Sequence, residues 1–393
     1  MCELVLALGG GGSKGMFQMG AWRAFRELGL EFSAISGTSI GAVNGALMLG
    51  TAYEHALEMW NNLTIDQCLA FSQSSKTVPK SEDLLTLKNA NLLARELWNS
   101  RSLNTAPLRE LLNKYVCEDS VRSSKIDFGI MTTLVPDFKP HAVWLDEIPK
   151  GQMIDYVMAS ARLPGLAPVK IDGKTYMDGG IIENVPVSML RRRGCRQIVA
   201  VDLESKPSVL SRFDDNIQLT LIHDKQELGG FLDLTPAVLK RNFQLGYLDT
   251  MKAFARLNGE YYSFRNADYS SLIAKFGIDT VNGFEQAALI YEMDRTVIYQ
   301  ADEFIRLVRE RRAEVQREYD ENRKALEIEH KLSALASGKL RVLNLLPALR
   351  LAFLMEIKAQ VREKGSAPRL PLRLFSAVDA AAEALSKLNE SED

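Results

Sequence analysis

Leu4-Val5-Leu6-Ala7-Leu8-Gly9-Gly10-Gly11-Gly12-Ser13-Lys14-Gly15 and Ser36-Gly37-Thr38-Ser39-Ile40-Gly41 are the two stretches whose reading decides the fold. The apolar run at residues 4–8 reads as a buried strand ending in glycines. Residues 16–28 then place Phe17, Ala21, Ala24, Phe25 and Leu28 at helical spacing, and Gly29 closes that helix. A second short strand is expected at residues 32–35, entering the turn at Ser36-Gly37-Thr38-Ser39, with a helix of small residues from Ile40 to about Leu49. Strand, loop, helix, strand, sharp turn, helix is the order of an α/β fold whose parallel sheet is covered by helices on both faces.

Working outward, residues 52–125 read as mostly helical, with a polar loop at 71–83 that could border a site. Strands are expected at 128–134 and 142–145, and a helix at 153–161. Val169-Lys170-Ile171, Asp172-Gly173 and Lys174-Thr175-Tyr176 predict a hairpin, because an Asp-Gly pair takes the positive φ angles of a two-residue turn. Residues 197–202 and 217–222 add two apolar strands. From about residue 266 the character changes: charges dominate residues 306–331, with Phe304, Val308, Val315, Tyr319 and Leu326 close to a helical stripe, so the expected division is a catalytic domain at 1–265 and a mainly helical C-terminal region at 266–393. Residues 339–364, broadly apolar, flanked by Lys and Arg and broken near Pro347, allow two readings: a helix packed on the catalytic domain, or a peripheral membrane contact.

The 393 residues are 46% hydrophobic and 25% charged, enough for a substantial core and roughly two domains. A formal net charge of −2 points to no nucleic-acid partner. Cys2, Cys68, Cys117 and Cys195 are scattered without metal-ligand spacing, which fits a reducing compartment and no metal. The N-terminal run lacks a basic leader and reads as a strand, not a signal peptide; no stretch approaches the ~20 apolar residues of a spanning helix. The expectation is a cytoplasmic protein, with any membrane contact peripheral.

A serine hydroxyl needs an adjacent base, and the strand-to-helix turn of Gly-x-Ser-x-Gly exposes its Oγ to a substrate carbonyl. That makes Ser39 the candidate nucleophile, with Gly37 and Gly41 permitting the strained path. Acyl transfer also develops an oxyanion, and the amides of a glycine loop at a helix N-terminus favour negative charge. Lys14 in that loop could add positive potential or hold a lipid phosphate, or could be a solvated helix-start residue. Gly10, Gly12 and Gly15 also satisfy a dinucleotide-binding pattern, but the acidic residue that pattern needs after the second strand is absent. Two bases are open. His223, at the end of an apolar strand, would give a Ser39-Asp178-His223 triad; Asp178, followed by Gly179-Gly180 where the chain turns sharply, could accept the proton itself.

Four blocks in order carry a resemblance to the patatin-like phospholipases: Gly10-Gly11-Gly12-Ser13-Lys14-Gly15, Gly37-Thr38-Ser39-Ile40-Gly41, Ala159-Ser160-Ala161-Arg162-Leu163-Pro164, and Asp178-Gly179-Gly180 followed by Asn184 and Pro186. The resemblance covers residues 4–200 and implies a three-layer α/β/α sandwich with a mainly parallel central sheet. It implies a catalytic dyad, Ser39 as nucleophile and Asp178 as base, with no histidine and no metal or other cofactor. The amides around Gly11 and Gly12 would form the oxyanion hole, shaped by Gly10, and Ser160, Pro164 and Asn184 would hold the Asp178 loop. Lys14 stands where many members carry arginine, which keeps charge but loses the planar fork. The implied substrate is a phospholipid or other acyl-ester lipid. A general carboxylesterase with the His223 triad and a non-catalytic lipid-binding scaffold are the alternatives.

Overall fold

The computed structural model describes residues 4–70, 104–135, 137–162, 169–207, 217–326, 348–363 and 376–388. The polar loop at 71–83, Pro164, Pro168 and residues 339–347 of the apolar, basic-flanked segment lie outside the described residues. The chain divides into two compact units, Met1–Ala253 and Phe254–Asp393, so residue 265 falls inside the second unit.

The first unit runs β1 (Leu4–Leu8), α1 (Met16–Glu27), β2 (Ala34–Thr38), α2 (Ile40–Gly50), α3 (Tyr53–Asn61), α4 (Ile65–Cys68), α5 (Ala106–Tyr115) and α6 (Glu118–Ser123). It continues with β3 (Asp127–Val135), β4 (Lys139–Trp144), α7 (Met153–Ser160), β5 (Val169–Ile171), β6 (Lys174–Asp178), α8 (Val187–Arg192), β7 (Gln197–Val201), β8 (Gln218–Ile222) and α9 (Pro236–Ala253). The Asp172-Gly173 hairpin forms as expected, with φ of 49° and 77° at its two turn residues. β2 extends to Thr38, past the expected end at Ile35, because its last residues pair with both neighbours: Gly37 with Leu8 and Thr38 with Met131. The helix α9 lies in a stretch where no element is expected from the sequence. It crosses α1 so closely that a Cβ on Gly20 would sit 1.9 Å from the Phe243 carbonyl oxygen, and one on Gly246 1.9 Å from that of Phe17.

The main sheet has the order β5-β6-β3-β2-β1-β7-β8, with β4 also on β3. The ladders β3–β2–β1–β7–β8 are parallel, whereas β4, β5 and β6 are antiparallel additions. Successive side chains of β1 face opposite ways. Val5 and Ala7, with Ile198 and Ala200, pack on Val187, Met189 and Leu190 of α8. The opposite face is covered by α2, where Gly45 lets the helix approach Phe128 and Ile35. The result is the three-layer α/β/α sandwich.

The register of β3 decides where the site forms. β4 pairs with residues 129–134 of β3, β2 with residues 127–131 and β6 with residues 132–135. A strand has two edges, so β2 and β6 share the one that β4 leaves free. They run toward each other along it, ending at consecutive β3 residues: Thr38 opposite Met131 and Asp178 opposite Thr132.

The second unit carries a small sheet of β9 (Leu257–Asn258), β10 (Ser263–Arg265) and β11 (Ile298–Tyr299) with five helices among the described residues. These are α10 (Asn266–Phe276), α11 (Ile278–Ile290), α12 (Ala301–Leu326), α13 (Ala348–Glu363) and α14 (Ser376–Ser386). Its core gathers Tyr262, Phe264, Phe284, Phe304 and Leu385 with Ala352, Leu354, Met355 and Ala359 of α13. Arg312 and Glu356 form a buried ion pair at 2.9 Å there. Within the described part of the apolar, basic-flanked segment, Ala352, Leu354, Met355 and Ala359 are thus buried in the core of its own unit. No helix among the described residues is long and apolar enough to cross one.

Candidate active site

Ser39 sits between β2 and α2 with φ 54° and ψ −123°, a left-handed conformation that costs a non-glycine residue on the order of 1–3 kcal/mol. The strained residue is thus the serine itself. Gly37 and Gly41 are required for space: a Cβ on Gly37 would lie 2.4 Å from the Gly41 oxygen, and one on Gly41 2.1 Å from the Leu8 oxygen. What holds the turn is a buried polar contact. Ser39 N–H donates to Ser160 Oγ at 2.8 Å, and the Ser160 hydroxyl donates to the Met131 oxygen at 2.7 Å. Ser160 therefore braces the Ser39 turn directly, whereas the sequence reading assigned it to the Asp178 loop.

Asp178 is 2% exposed and its backbone is fixed three ways. It pairs with Thr132, its N–H donates to the Arg162 oxygen at 2.8 Å, and its carbonyl accepts from Thr133 Oγ1 at 3.0 Å. Its Oδ1 accepts the Gly180 N–H at 2.7 Å, and its Oδ2 makes no hydrogen bond of regular geometry among the described residues. Burial raises the pKa of this carboxyl above the ordinary value; the nearby Ser39 hydroxyl and the Gly180 amide counter that only in part. Gly179 is needed where the loop passes Met131, whose oxygen would lie 2.4 Å from a Cβ, and Gly180 where it passes Asn184 Oδ1 at 3.0 Å.

The glycine loop closes the third side. Gly10 N–H donates to the Asn184 oxygen at 3.1 Å, and Asn184 Nδ2 donates back to the Gly10 oxygen at 3.3 Å. Gly10 is thereby committed to shape: its amide is occupied, and a Cβ there would sit 3.1 Å from Ser39 Cβ. Gly11 and Gly12 donate to no partner among the described residues, which leaves two amides open at the start of the helical run into α1. Lys14 is 8% exposed and lies 3.5 Å from Glu204 and 3.9 Å from Glu227. It is neither a solvated helix-start residue nor a free cation for a phosphate.

Beneath the loop runs a buried chain that the sequence reading missed. Trp60 Nε1 donates to Asn44 Oδ1 at 2.9 Å, Asn44 Nδ2 reaches the Gly15 oxygen and Gln18 Oε1, and Gln18 Nε2 donates to the Gly9 oxygen at 2.7 Å. The available signal was a polar Asn44 in an otherwise apolar helix. Ser36 and Thr38 likewise tie β2 to the loop after Asp178, donating to the Pro186 and Glu183 oxygens. His223 directly follows β8, three strand spacings from β2, or roughly 14 Å. That separation leaves the triad without its third member.

This combination of strand order, nucleophile turn and glycine loop spans β1 to α8, and residues 6–191 match the family model described as patatin-like phospholipase. Residues 6–191 form a patatin-like phospholipase domain. The chain is 28% identical over 207 residues to patatin-like phospholipase domain-containing protein 7 of Mus musculus, covering 52% of this chain and 14% of that protein. It is 27% identical over 203 residues to lysophospholipase NTE1 of Mycosarcoma maydis, covering 51% of this chain and 10% of that one. The chain thus spans about a seventh or less of the length of these curated relatives. Among solved structures it overlays on VipD from Legionella pneumophila at TM-score 0.42 and 15% identity, over 100% of this chain and 91% of that one. No group of three or more metal-ligating side chains occurs among the described residues of the patatin-like domain or the second unit.

Proposed function

We propose that this chain is a serine-dependent lipid acyl hydrolase, of phospholipase A or lysophospholipase type, working through Ser39 and Asp178. The observation that carries the reading is the end-to-end meeting of β2 and β6 on β3, which brings the Ser39 hydroxyl to a buried carboxylate. A carboxyl with a raised pKa is a stronger base than an exposed aspartate once ionised. It takes the Ser39 proton as Oγ attacks the ester carbonyl. The oxyanion that forms accepts from Gly11 and Gly12 N–H. Collapse breaks the bond to the alcohol, which leaves with the proton from Asp178, and the acyl group stays on Ser39 Oγ. Water then gives its proton to Asp178 and attacks the acyl-serine; the fatty acid departs and the proton returns to Ser39. A phospholipid or related acyl-ester lipid as substrate is supported by the family match of residues 6–191, and no metal or cofactor is part of the proposal.

Hydrolysis of a fluorogenic phospholipid by wild type, Ser39→Ala and Asp178→Asn, together with fluorophosphonate labelling of Ser39, tests it. Wild type is expected to label and turn over and both variants to lose turnover. An Asp178→Asn protein that still turns over would remove the dyad.

A further inference from the structure

The glycine loop is held from two sides. On one, Asn184 grips Gly10. On the other stands a segment that the family match does not reach, since that match ends at residue 191. Residues 223–235, between β8 and α9, pass directly over the loop. Ser13 N–H donates to the Phe231 oxygen at 2.9 Å, and the Ser13 hydroxyl donates to the Gly230 oxygen, also at 2.9 Å. A Cβ on Gly12 would lie 2.3 Å from the same Phe231 oxygen, so the two backbones are in contact. Lys14 adds an ion pair to Glu227 of the segment.

The segment is itself anchored. Leu228 is 2% exposed, and its oxygen accepts from Arg241 at 2.8 Å and from Asn242 Nδ2 at 2.9 Å, both on α9. Between the two fixed points, Gly10 and Ser13, lie only Gly11 and Gly12, whose amides remain open.

We infer that Ser13 is a positioning residue for the oxyanion hole, acting through the carbonyls of Gly230 and Phe231. The inference rests on the acyl-hydrolase reading. Without the hydroxyl, the Ser13 N–H still bonds Phe231, but the loop gains slack and the Gly11 and Gly12 amides lose their alignment. A full oxyanion depends on those donors more than a neutral ester carbonyl does, so the loss falls on the transition state.

The test compares wild type, Ser13→Ala and Ser13→Thr on a soluble short-chain ester, with inhibition by a trifluoromethyl ketone of the same acyl length, whose adduct with Ser39 carries an oxyanion. Ser13→Ala is expected to lower kcat about tenfold with KM within about twofold, and to raise the inhibition constant about tenfold; Ser13→Thr, which keeps the hydroxyl, recovers most of both. An alanine variant with wild-type kcat and inhibition overturns the inference. So does a fall in kcat with inhibition unmoved, since that places the damage elsewhere. If the alanine variant fails to fold, the paired substitution Glu204→Gln and Glu227→Gln, at sites 49% and 70% exposed, loosens the same attachment through Lys14 and should lower kcat about threefold with KM held. Unchanged kcat there overturns the inference. A wild type that neither hydrolyses ester nor takes up fluorophosphonate sinks the acyl-hydrolase reading, an outcome distinct from an active wild type matched by its Ser13→Ala variant.

Discussion

Ser39 N–H donates to Ser160 Oγ at 2.8 Å, and the Ser160 hydroxyl donates in turn to the Met131 oxygen, so one buried side chain ties the Ser39 turn to β3. Truncation to alanine leaves the Ser39 amide buried without an acceptor, a cost of about 1–3 kcal/mol. Ser160→Ala is expected to lower the unfolding free energy by that amount, read as a lower urea midpoint at unchanged slope, and to reduce kcat. A wild-type midpoint would mean that the turn is held by something else.

The pH dependence of turnover should report Asp178. The base acts only when ionised, and burial raises its pKa above the ~3.9 of an exposed aspartate. Activity at saturating substrate is expected to fall on the acid side with a midpoint displaced above that value, and a limb at the ordinary aspartate position would argue against a buried base.

Stability should show the same shift with the opposite benefit. Because the folded pKa is raised, the native state holds the Asp178 proton more tightly than the unfolded chain, and stability is lost as pH rises from about 4 through the folded value. At neutral pH the neutral isostere relieves that penalty. Asp178→Asn is expected to raise Tm at pH 7 while abolishing turnover, with the advantage shrinking as pH falls toward 4. A Tm below wild type at pH 7 would contradict this.

Asn44 sits at the centre of the chain from Trp60 to Gly9 and is 1% exposed. Asn44→Leu strands the Trp60 N–H and the Gly15 oxygen, each at roughly 1–3 kcal/mol. The expected result is a loss of a few kcal/mol in denaturant unfolding, with weaker fluorophosphonate labelling of the surviving folded protein. A silent substitution would show that the loop needs no support from below.

His223 provides the negative control. Three strand spacings from β2, it is out of reach of Ser39, and His223→Ala should retain most of the wild-type kcat. A folded but inactive variant, verified by its circular dichroism, would reinstate a triad.

Much of this was legible in the chain itself. Apolar runs such as residues 4–8, the helical spacing after Met16 and the Asp172-Gly173 turn act through local sterics and periodicity, so α/β architecture, the hairpin and the candidates Ser39 and Asp178 follow without coordinates. Gly179 and Gly180 were legible as a close approach; Gly37 and Gly41 read as relieving strain, whereas they give space and the positive φ falls on Ser39, which nothing in the residue type announces. The helix α9 and the small sheet of the second unit went unforeseen because packing stabilises them more than any local pattern.

What only the tertiary structure decided is which of these residues meet. Ser39 and Asp178 come together because two strands share one edge of β3 and end at Met131 and Thr132, a register set by pairing among segments far apart in the chain. The same holds for Ser160 on the nucleophile amide, for Lys14 between two glutamates, and for Ser13 beneath residues 230 and 231. Residue type fixes what a side chain can donate or accept; the partner that satisfies it is chosen by long-range packing, which excludes water and leaves a buried polar group only the neighbours the fold supplies.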